Sequence, residues 1–284
     1  MKKFILLIFI SITLPFIAIA QEEDATVLDE KVTEKPERPA FESSTIIENP
    51  TNVLYSKNTL EVQMSHRFGL VNGGTNDLIG FWAPSNIRIG LSYSLTDRIT
   101  VGYGTTKFDR LQDFNLKVGL LRQTRSNKMP LSVTYYGNFT MNAREKENFK
   151  NTTDRYSYYN SFIIAKRFTP EFSVQVTPSI SHFNTVVPTI KNDMFAVAVG
   201  GRYKISPNTA ILVDYSQPLT KFYTGNPHPG IAFGVEFATS GHAFQLFATN
   251  YGALSPQKNY MYNTNDSFDG DFMIGFNITR KYNF

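Results

Sequence analysis

Histidine has the widest chemical repertoire among the side chains of this sequence, because it can bind a metal or act as a base near neutral pH. The four histidines are far apart, and no two of them have the spacing of a metal-binding pair: His66, His182, His228 and His242. The chain also contains no cysteine. The sequence therefore predicts no metal site, no cofactor and no catalytic residue.

Two acidic stretches have the oxygen-rich composition that calcium prefers. They are "DSFDGD" at 266–271 and "NGGTND" at 72–77. Polar loops commonly have this composition, so we predict no calcium site from them. The sequence contains neither a glycine-rich phosphate loop opening a helix nor a Gly-x-Ser-x-Gly stretch. We therefore expect a protein that is not an enzyme.

Charged residues recur in segments where apolar and polar residues alternate. Successive side chains of a β-strand point to opposite faces, so these charges share the polar face. The set comprises Glu61, Arg67, Arg88, Lys117, Arg202, Lys204, Asp214 and Glu236. Such charges can pair with one another across an enclosed space, or unpaired basic residues can favour the passage of anions. Both interpretations require strands that bring the charges to one interior.

The alternating segments predict those strands. In "SNIRIGLSYSLT", for example, Ile87, Ile89 and Leu91 alternate with polar or small residues. Twelve strands are predicted, near 57–70, 85–95, 98–107, 111–123, 129–141, 156–168, 171–184, 193–205, 208–217, 228–239, 242–250 and 269–284. Most have the length of about 9–11 residues that a tilted membrane strand needs.

The predicted connections alternate between short and long. The turns "TD" at 96–97 and "SPN" at 206–208 are short, whereas "NAREKENFKNTTDR" at 142–155 is long. The exception is "FDR" at 108–110, which would be a small outer loop. Outer-membrane barrels have tight periplasmic turns and long outer loops. An even number of strands then places both ends of the barrel at the periplasmic rim.

The N-terminal residues predict export. Residues 1–20 have a basic start, an apolar stretch and the small residues "AIA", which together indicate a signal peptide. Gln21 follows the expected cleavage site, which excludes a lipid-anchored lipoprotein. The 28 Lys and Arg of the whole chain, less Lys2 and Lys3, leave 26 against 24 Asp and Glu, a net charge of +2. This balance gives no reason to expect a nucleic-acid partner.

Three regions follow: a signal peptide at 1–20, a disordered or periplasmic segment at 21–56 and a barrel at 57–284. Residues 21–40 are charged and proline-bearing, which is typical of a loosely held segment. Residues 41–56 are intermediate in composition, and the sequence leaves open whether they plug the barrel.

The final stretch, "DFMIGFNITRKYNF", has one nearly apolar face that includes Phe276, Tyr282 and Phe284. A closing barrel strand pairs with the first strand and has no exposed edge, so its outer face can meet lipid. Aromatic residues are favoured at the membrane interface. A terminal aromatic residue also resembles the signal by which the barrel-assembly machinery recognises its substrates.

An enzyme of the lipid-hydrolase type is a remote alternative. Outer-membrane phospholipases place a Ser–His pair on the lipid-facing side of a twelve-strand barrel, and His66 and His182 fall in the lipid-facing phase here. Their neighbours Ser65 and Ser181 point inward, so adjacent pairing is excluded. A serine from another strand would have to complete such a pair.

Several sequence segments, taken in their order along the chain, resemble a membrane-bound β-barrel family of unknown function found in Bacteroidota. They are "HRFGLVNGG", "NIRIGLSYSLTDRITVGYG", "LLRQT", "AVGGRYKIS", "GVEFATSGHAFQLFATN" and "GFNITRKYNF". The resemblance runs from about residue 45 to the end. It implies an outer-membrane barrel in a Gram-negative bacterium, and it brings no catalytic or binding residues.

The fold expected is all-β, a transmembrane antiparallel up-and-down β-barrel of about twelve strands surrounded by outer-membrane lipid. One hypothesis is a narrow, porin-like pore for small polar or anionic solutes. A second is a non-conducting structural or adaptor barrel that binds a protein through its outer loops or periplasmic tail. A blocked bore with paired charges would favour the second. A third hypothesis is a secreted β-sandwich, which would bury Ile87, Phe139, Phe233 and Phe276 in its core.

Overall fold

A computed structural model describes residues 34–284 of the chain. The expected signal peptide at 1–20, and residues 21–33 of the expected tail, lie outside the described residues. Within residues 34–284, no helix is both long and apolar enough to cross a bilayer.

Twelve antiparallel strands close into one barrel, and each pairs with its neighbours along the chain. A two-stranded hairpin, β1 (Thr45–Ile46) and β2 (Asn49–Pro50), precedes them. The barrel strands are β3 (Thr59–Leu70), β4 (Asn86–Thr96), β5 (Ile99–Thr106), β6 (Leu111–Leu121), β7 (Ser132–Asn142), β8 (Tyr156–Arg167), β9 (Phe172–Phe183), β10 (Asp193–Lys204), β11 (Thr209–Pro218), β12 (Gly230–Ala238), β13 (His242–Thr249) and β14 (Met273–Asn283). A short helix, α1 (Pro256–Tyr262), lies between β13 and β14.

The last strand closes the barrel against the first. Asn283 pairs with Thr59 at one end of the β14–β3 ladder, and Phe276 pairs with His66 further along. The predicted fold class is therefore confirmed. The largest difference in a boundary is at β14, which begins at Met273 rather than 269, because the chain first makes a turn in which Asp271 N–H donates to the Asp266 carbonyl (3.0 Å).

The strands alternate small or polar residues inward with large apolar residues outward. In β12, Ala232 is buried, whereas 55% of Phe233 is exposed on the outer face. Ile87, Phe139 and Phe276 are also not buried. The β-sandwich hypothesis is therefore wrong, because the residues that would form its core face outward, toward lipid.

The connections are short on the rim that carries both barrel ends and mostly long on the other, as predicted. We call these the periplasmic and outer rims, following the usual orientation of such barrels. The connection at 122–131 is longer than the gap of 124–128 left between the predicted strands, and residues 35–37 pair with it. Glu37 N–H donates to the Gln123 carbonyl (2.8 Å) and Arg125 N–H to that of Lys35 (3.1 Å).

Residues 40–56 lie inside the barrel, and we call them the plug. Phe41, Ile46 and Ile47 are buried and pack in one cluster with Leu212 and Phe247 of the wall. The expectation of a disordered or periplasmic segment therefore does not hold for residues 40–56. A barrel of this size leaves an interior that its own side chains do not fill, and the plug's apolar residues leave water by occupying it.

Candidate functional site

Asp214 of β11 holds the turn of the plug hairpin. Its carboxylate accepts hydrogen bonds from Glu48 N–H (3.0 Å), Asn49 N–H (3.1 Å) and Asn49 Nδ2 (2.8 Å). Asp214 is only 3% exposed, so water cannot replace these bonds while the plug is seated. A buried carboxylate that accepts several hydrogen bonds is well accommodated.

Arg67 of β3 makes a two-pronged ion pair with Glu48 of the plug. Nε lies 3.0 Å from Glu48 Oε1 and Nη2 lies 3.1 Å from Oε2. Nη1 also donates to Asn277 Oδ1 (3.1 Å), and Nη2 donates to the Ile47 carbonyl (3.3 Å). The guanidinium carbon lies 4.5 Å from the centre of the Phe247 ring. Every edge of this buried cation is thus occupied.

Two further charged residues of the predicted set, on β6 and β3, contact the plug. Lys117 Nζ of β6 donates to the carbonyls of Ser44 (3.1 Å) and Val53 (3.3 Å). Glu61 of β3 accepts from the Tyr55 hydroxyl (2.9 Å). Burial raises the pKa of Tyr55 well above its ordinary value, so the phenol keeps the proton it donates.

Arg88, Arg202 and Glu236 form ion pairs between strands of the wall, whereas Lys204 forms none within residues 34–284. Arg88 of β4 contacts both carboxylate oxygens of Asp113 on β6, each at 2.8 Å. Arg202 of β10 lies 2.8 Å from Glu236 of β12. Lys204 is half-buried at the periplasmic end of β10. The structure therefore brings the predicted charges together as ion pairs and plug anchors rather than as a basic stripe.

The outer loop that contains α1 closes the barrel from the opposite side. Gln257 is fully buried, and its Nε2 donates to Asn138 Oδ1 (3.0 Å) and Thr140 Oγ1 (2.8 Å) on β7. The Tyr260 hydroxyl donates to Asn49 of the plug, and burial raises the pKa of that phenol. The plug and α1 therefore meet inside the barrel.

Cavities remain between the plug and the wall. One, toward the periplasmic rim, has a volume of about 250 Å³ and is lined by Asn52 and Leu54 of the plug together with residues of the wall. A smaller one, of about 80 Å³, is lined by Arg88, Lys117 and Tyr136 together with plug residues. The smaller space accommodates a few water molecules at polar partners.

The predicted interface aromatics lie on the outer face of β14 and at its end. Phe276 is half-buried and stacks on the ring of His66 at 5.0 Å between centroids. Tyr282 is 37% exposed and Phe284 is 80% exposed at the periplasmic rim. The Arg280 guanidinium lies 4.8 Å from the Tyr282 ring centre, which suits a position at the headgroup level.

Neither outward histidine has a serine beside it in the strand register. His66 is flanked by Ile87 and Phe276. His182 is flanked by Tyr158 and by Asp193, whose Oδ1 lies 2.7 Å from His182 Nδ1. Within the part of the chain that the structure describes, there is also no cluster of three potential metal ligands.

Several residues of the site were not predicted from the sequence. Glu48, Asn49, Gln257 and Tyr260 belong to segments without β periodicity, so no pattern indicated that they lie inside the barrel. Asp113 differs, because it shares the inward phase of Lys117 and could have been found from the alternation alone.

The sequence matches the model of the membrane bound beta barrel domain family (DUF5777) over residues 41–282. The chain belongs to this family. The matched range includes the plug except its first residue and the twelve barrel strands except the last residue of β14, so the plug is part of the family's domain. No curated protein matches the chain.

The solved structures similar to this barrel are outer-membrane proteins. The NanC porin is 7% identical, with 79% of this chain and 100% of the porin covered and a TM-score of 0.50. An outer membrane channel from Pseudomonas putida F1 is 12% identical over 81% and 97% of the two chains, with a TM-score of 0.46. The outer membrane phospholipase A from Escherichia coli is 12% identical over 81% and 95%, with a TM-score of 0.41. The protein is an outer-membrane β-barrel, and at these identities the likeness concerns the fold alone.

Proposed function

We propose that the protein is a non-conducting adaptor barrel of the outer membrane. The observation that carries this proposal is the double closure of the lumen, by the plug from the periplasmic side and by α1 from the outer side. Tyr260 of α1 reaches Asn49 of the plug, so the two closures are continuous.

The interior charges support the same function. A pore that favours anions needs cations free to meet the solute. Arg67, Arg88 and Arg202 instead bind Glu48, Asp113 and Glu236, and Lys117 binds plug carbonyls. A solute would have to break these bonds in order to pass.

The surfaces left for a partner are the outer loops and the segment that precedes the plug. The backbone N–H of Glu37 donates to the Gln123 carbonyl and Glu34 pairs with Lys128, so residues 34–37 lie at the 122–131 connection of the periplasmic rim. A periplasmic protein is the partner that this arrangement suits. Other proposed partners are outer-membrane lipid and the barrel-assembly machinery, which would recognise the last strand together with Phe284.

A gated pore for small polar solutes is the second candidate. The hairpin strands β1 and β2 pair only with each other and join no barrel strand. The plug could therefore leave without breaking the hydrogen-bond ladder of the wall. We do not propose a lipid-hydrolase activity, since neither His66 nor His182 has a serine beside it in the strand register on the lipid-facing side.

Single-channel recording in planar bilayers separates the two candidates. The refolded chain without residues 1–20 is expected to give no conductance steps. A variant that lacks residues 21–56 and has 253–262 replaced by a Gly–Ser linker is expected to conduct, which shows that the assay detects this barrel when open. Discrete steps from the intact chain would support the gated pore instead.

A further inference from the structure

Another cavity, larger than those beside the plug, lies at the outer mouth of the barrel. Its volume is about 460 Å³, which is in the range of small-molecule sites. The loop between β3 and β4, the turn between β5 and β6 and the loop that carries α1 contribute its walls. Arg67 lies at its inner end and is bonded to Glu48 of the plug. The plug therefore closes the cavity on that side, which makes it a blind pocket.

The walls of this pocket are mainly apolar. Leu111 and Met273 are buried at 8% and 6% exposure, and Phe108, Ala83 and Ala253 are among the other apolar residues of the lining. An apolar molecule bound here would remove the surface that these side chains still expose from water, which is favourable.

The basic groups at the pocket already have partners. Arg67 is bonded to Glu48 and to Asn277. Lys258 contacts Asp109, which also binds Arg144. An anionic ligand would have to compete with these carboxylates, and the carboxylate of Asp77, which also lines the pocket, would repel it.

One polar group in the lining has no partner. Thr106, at the outer end of β5, is 3% exposed, and its hydroxyl makes no hydrogen bond within the described residues. A buried hydroxyl is normally bonded, so an unpaired one in the wall of an open pocket marks a place for a ligand atom.

We propose that this outer pocket binds an uncharged, largely apolar small molecule that forms one hydrogen bond with Thr106. The apolar walls accommodate its body, and the Thr106 hydroxyl supplies the polar contact. The assignment does not depend on whether the barrel conducts, because the pocket lies outside the plug.

The single tryptophan of the chain provides the readout. Trp82 immediately precedes Ala83 of the pocket wall, and its backbone N–H donates to the carbonyl of Asp77 (3.0 Å). The full mature chain in lipid nanodiscs is titrated with dansylamide, an uncharged apolar fluorophore that accepts excitation energy from tryptophan. Saturable energy transfer is expected, whereas the anionic analogue dansylglycine is expected to transfer none above the lipid background.

Two variants separate binding in the pocket from partition into lipid. Ala253→Phe fills the pocket and is expected to abolish saturable transfer, while Thr106→Val is expected to weaken dansylamide binding by about tenfold through loss of one hydrogen bond. Heat-modifiable migration on a gel confirms that each variant is folded. Equal transfer in the native chain and Ala253→Phe, unchanged binding in Thr106→Val, or equally strong binding of dansylglycine would overturn the proposal.

Discussion

At the scale of single residues, the plug is seated by a few buried polar side chains of the wall. Asp214 binds three donors of the hairpin turn and Arg67 binds the Glu48 carboxylate twice. Breaking a buried ion pair by removing one partner leaves an uncompensated charge, which is strongly destabilising. Each of these residues should therefore control whether the plug stays in.

Asp214→Ala should release the plug. The substitution leaves donors of Glu48 and Asn49 without their acceptor, at about 1–3 kcal/mol for each buried donor left unpaired. The rate of cleavage at Glu48 by a glutamate-specific protease should rise from nearly zero to a high value. Ser179→Ala removes a buried hydrogen bond within the wall, to the Ala196 carbonyl (3.3 Å), without leaving a charge unpaired, and serves as the control. Equal protection of Glu48 in the Asp214 variant and the native chain would contradict this role.

Gln257→Leu should loosen α1. The substitution removes the donor to Asn138 and Thr140 while keeping a similar volume, and leaves their oxygens buried. We expect a loss of about 1–3 kcal/mol in the free energy of unfolding, measured by denaturant titration in lipid vesicles. Thr189→Ala, in an exposed part of another outer loop, should change nothing. A Gln257→Leu protein as stable as the native chain would show that α1 is not fixed by this side chain.

At the scale of elements, the strands could be predicted and the plug could not. A strand between lipid and a polar interior must alternate, so β4 was expected at 85–95 and is found at Asn86–Thr96. The plug has no such constraint. Ile47, for example, is held by Gln245, which is 198 positions away, and no local pattern records so distant a contact.

The same limit applied to the interior charges. Their inward direction followed from strand periodicity, which placed Arg67 and Asp214 correctly on the inner face. Their partners Glu48 and Asn49 lie in the plug, so the sequence alone could not distinguish pore-lining charges from plug anchors.

Phe233→Arg tests the membrane-facing surface of β12. Phe233 is 55% exposed in the middle of the strand, and a charge at this depth in lipid should lower the free energy of unfolding by about 2–4 kcal/mol. Phe172→Arg, at the periplasmic end of β9, should cost about 0–1 kcal/mol because it lies at the interface. Refolding into vesicles at increasing urea measures both. Similar values for the two variants would show that Phe233 does not face the hydrocarbon core.

At the scale of the whole molecule, the protein is a barrel with a filled interior. Its wall contacts lipid on one side and chain segments from both rims on the other. The plug and α1 approach from opposite rims and meet at Asn49. The lumen is therefore closed by the two segments together. The family match begins at residue 41 and so includes the plug, which supports a barrel whose domain contains the plug.

The most direct test of this account is a cross-link between the plug and the wall in the native outer membrane. Ser43 of the plug and Thr279 of β14 are buried, with their hydroxyl oxygens 3.1 Å apart, and the chain has no cysteine of its own. In the Ser43→Cys, Thr279→Cys double variant, mild oxidation should form a disulfide that shifts gel mobility. The Ser43→Cys, Thr105→Cys pair, whose second site faces outward, should not link. Failure of the first pair to link, with the barrel folded, would contradict a plug seated in the lumen.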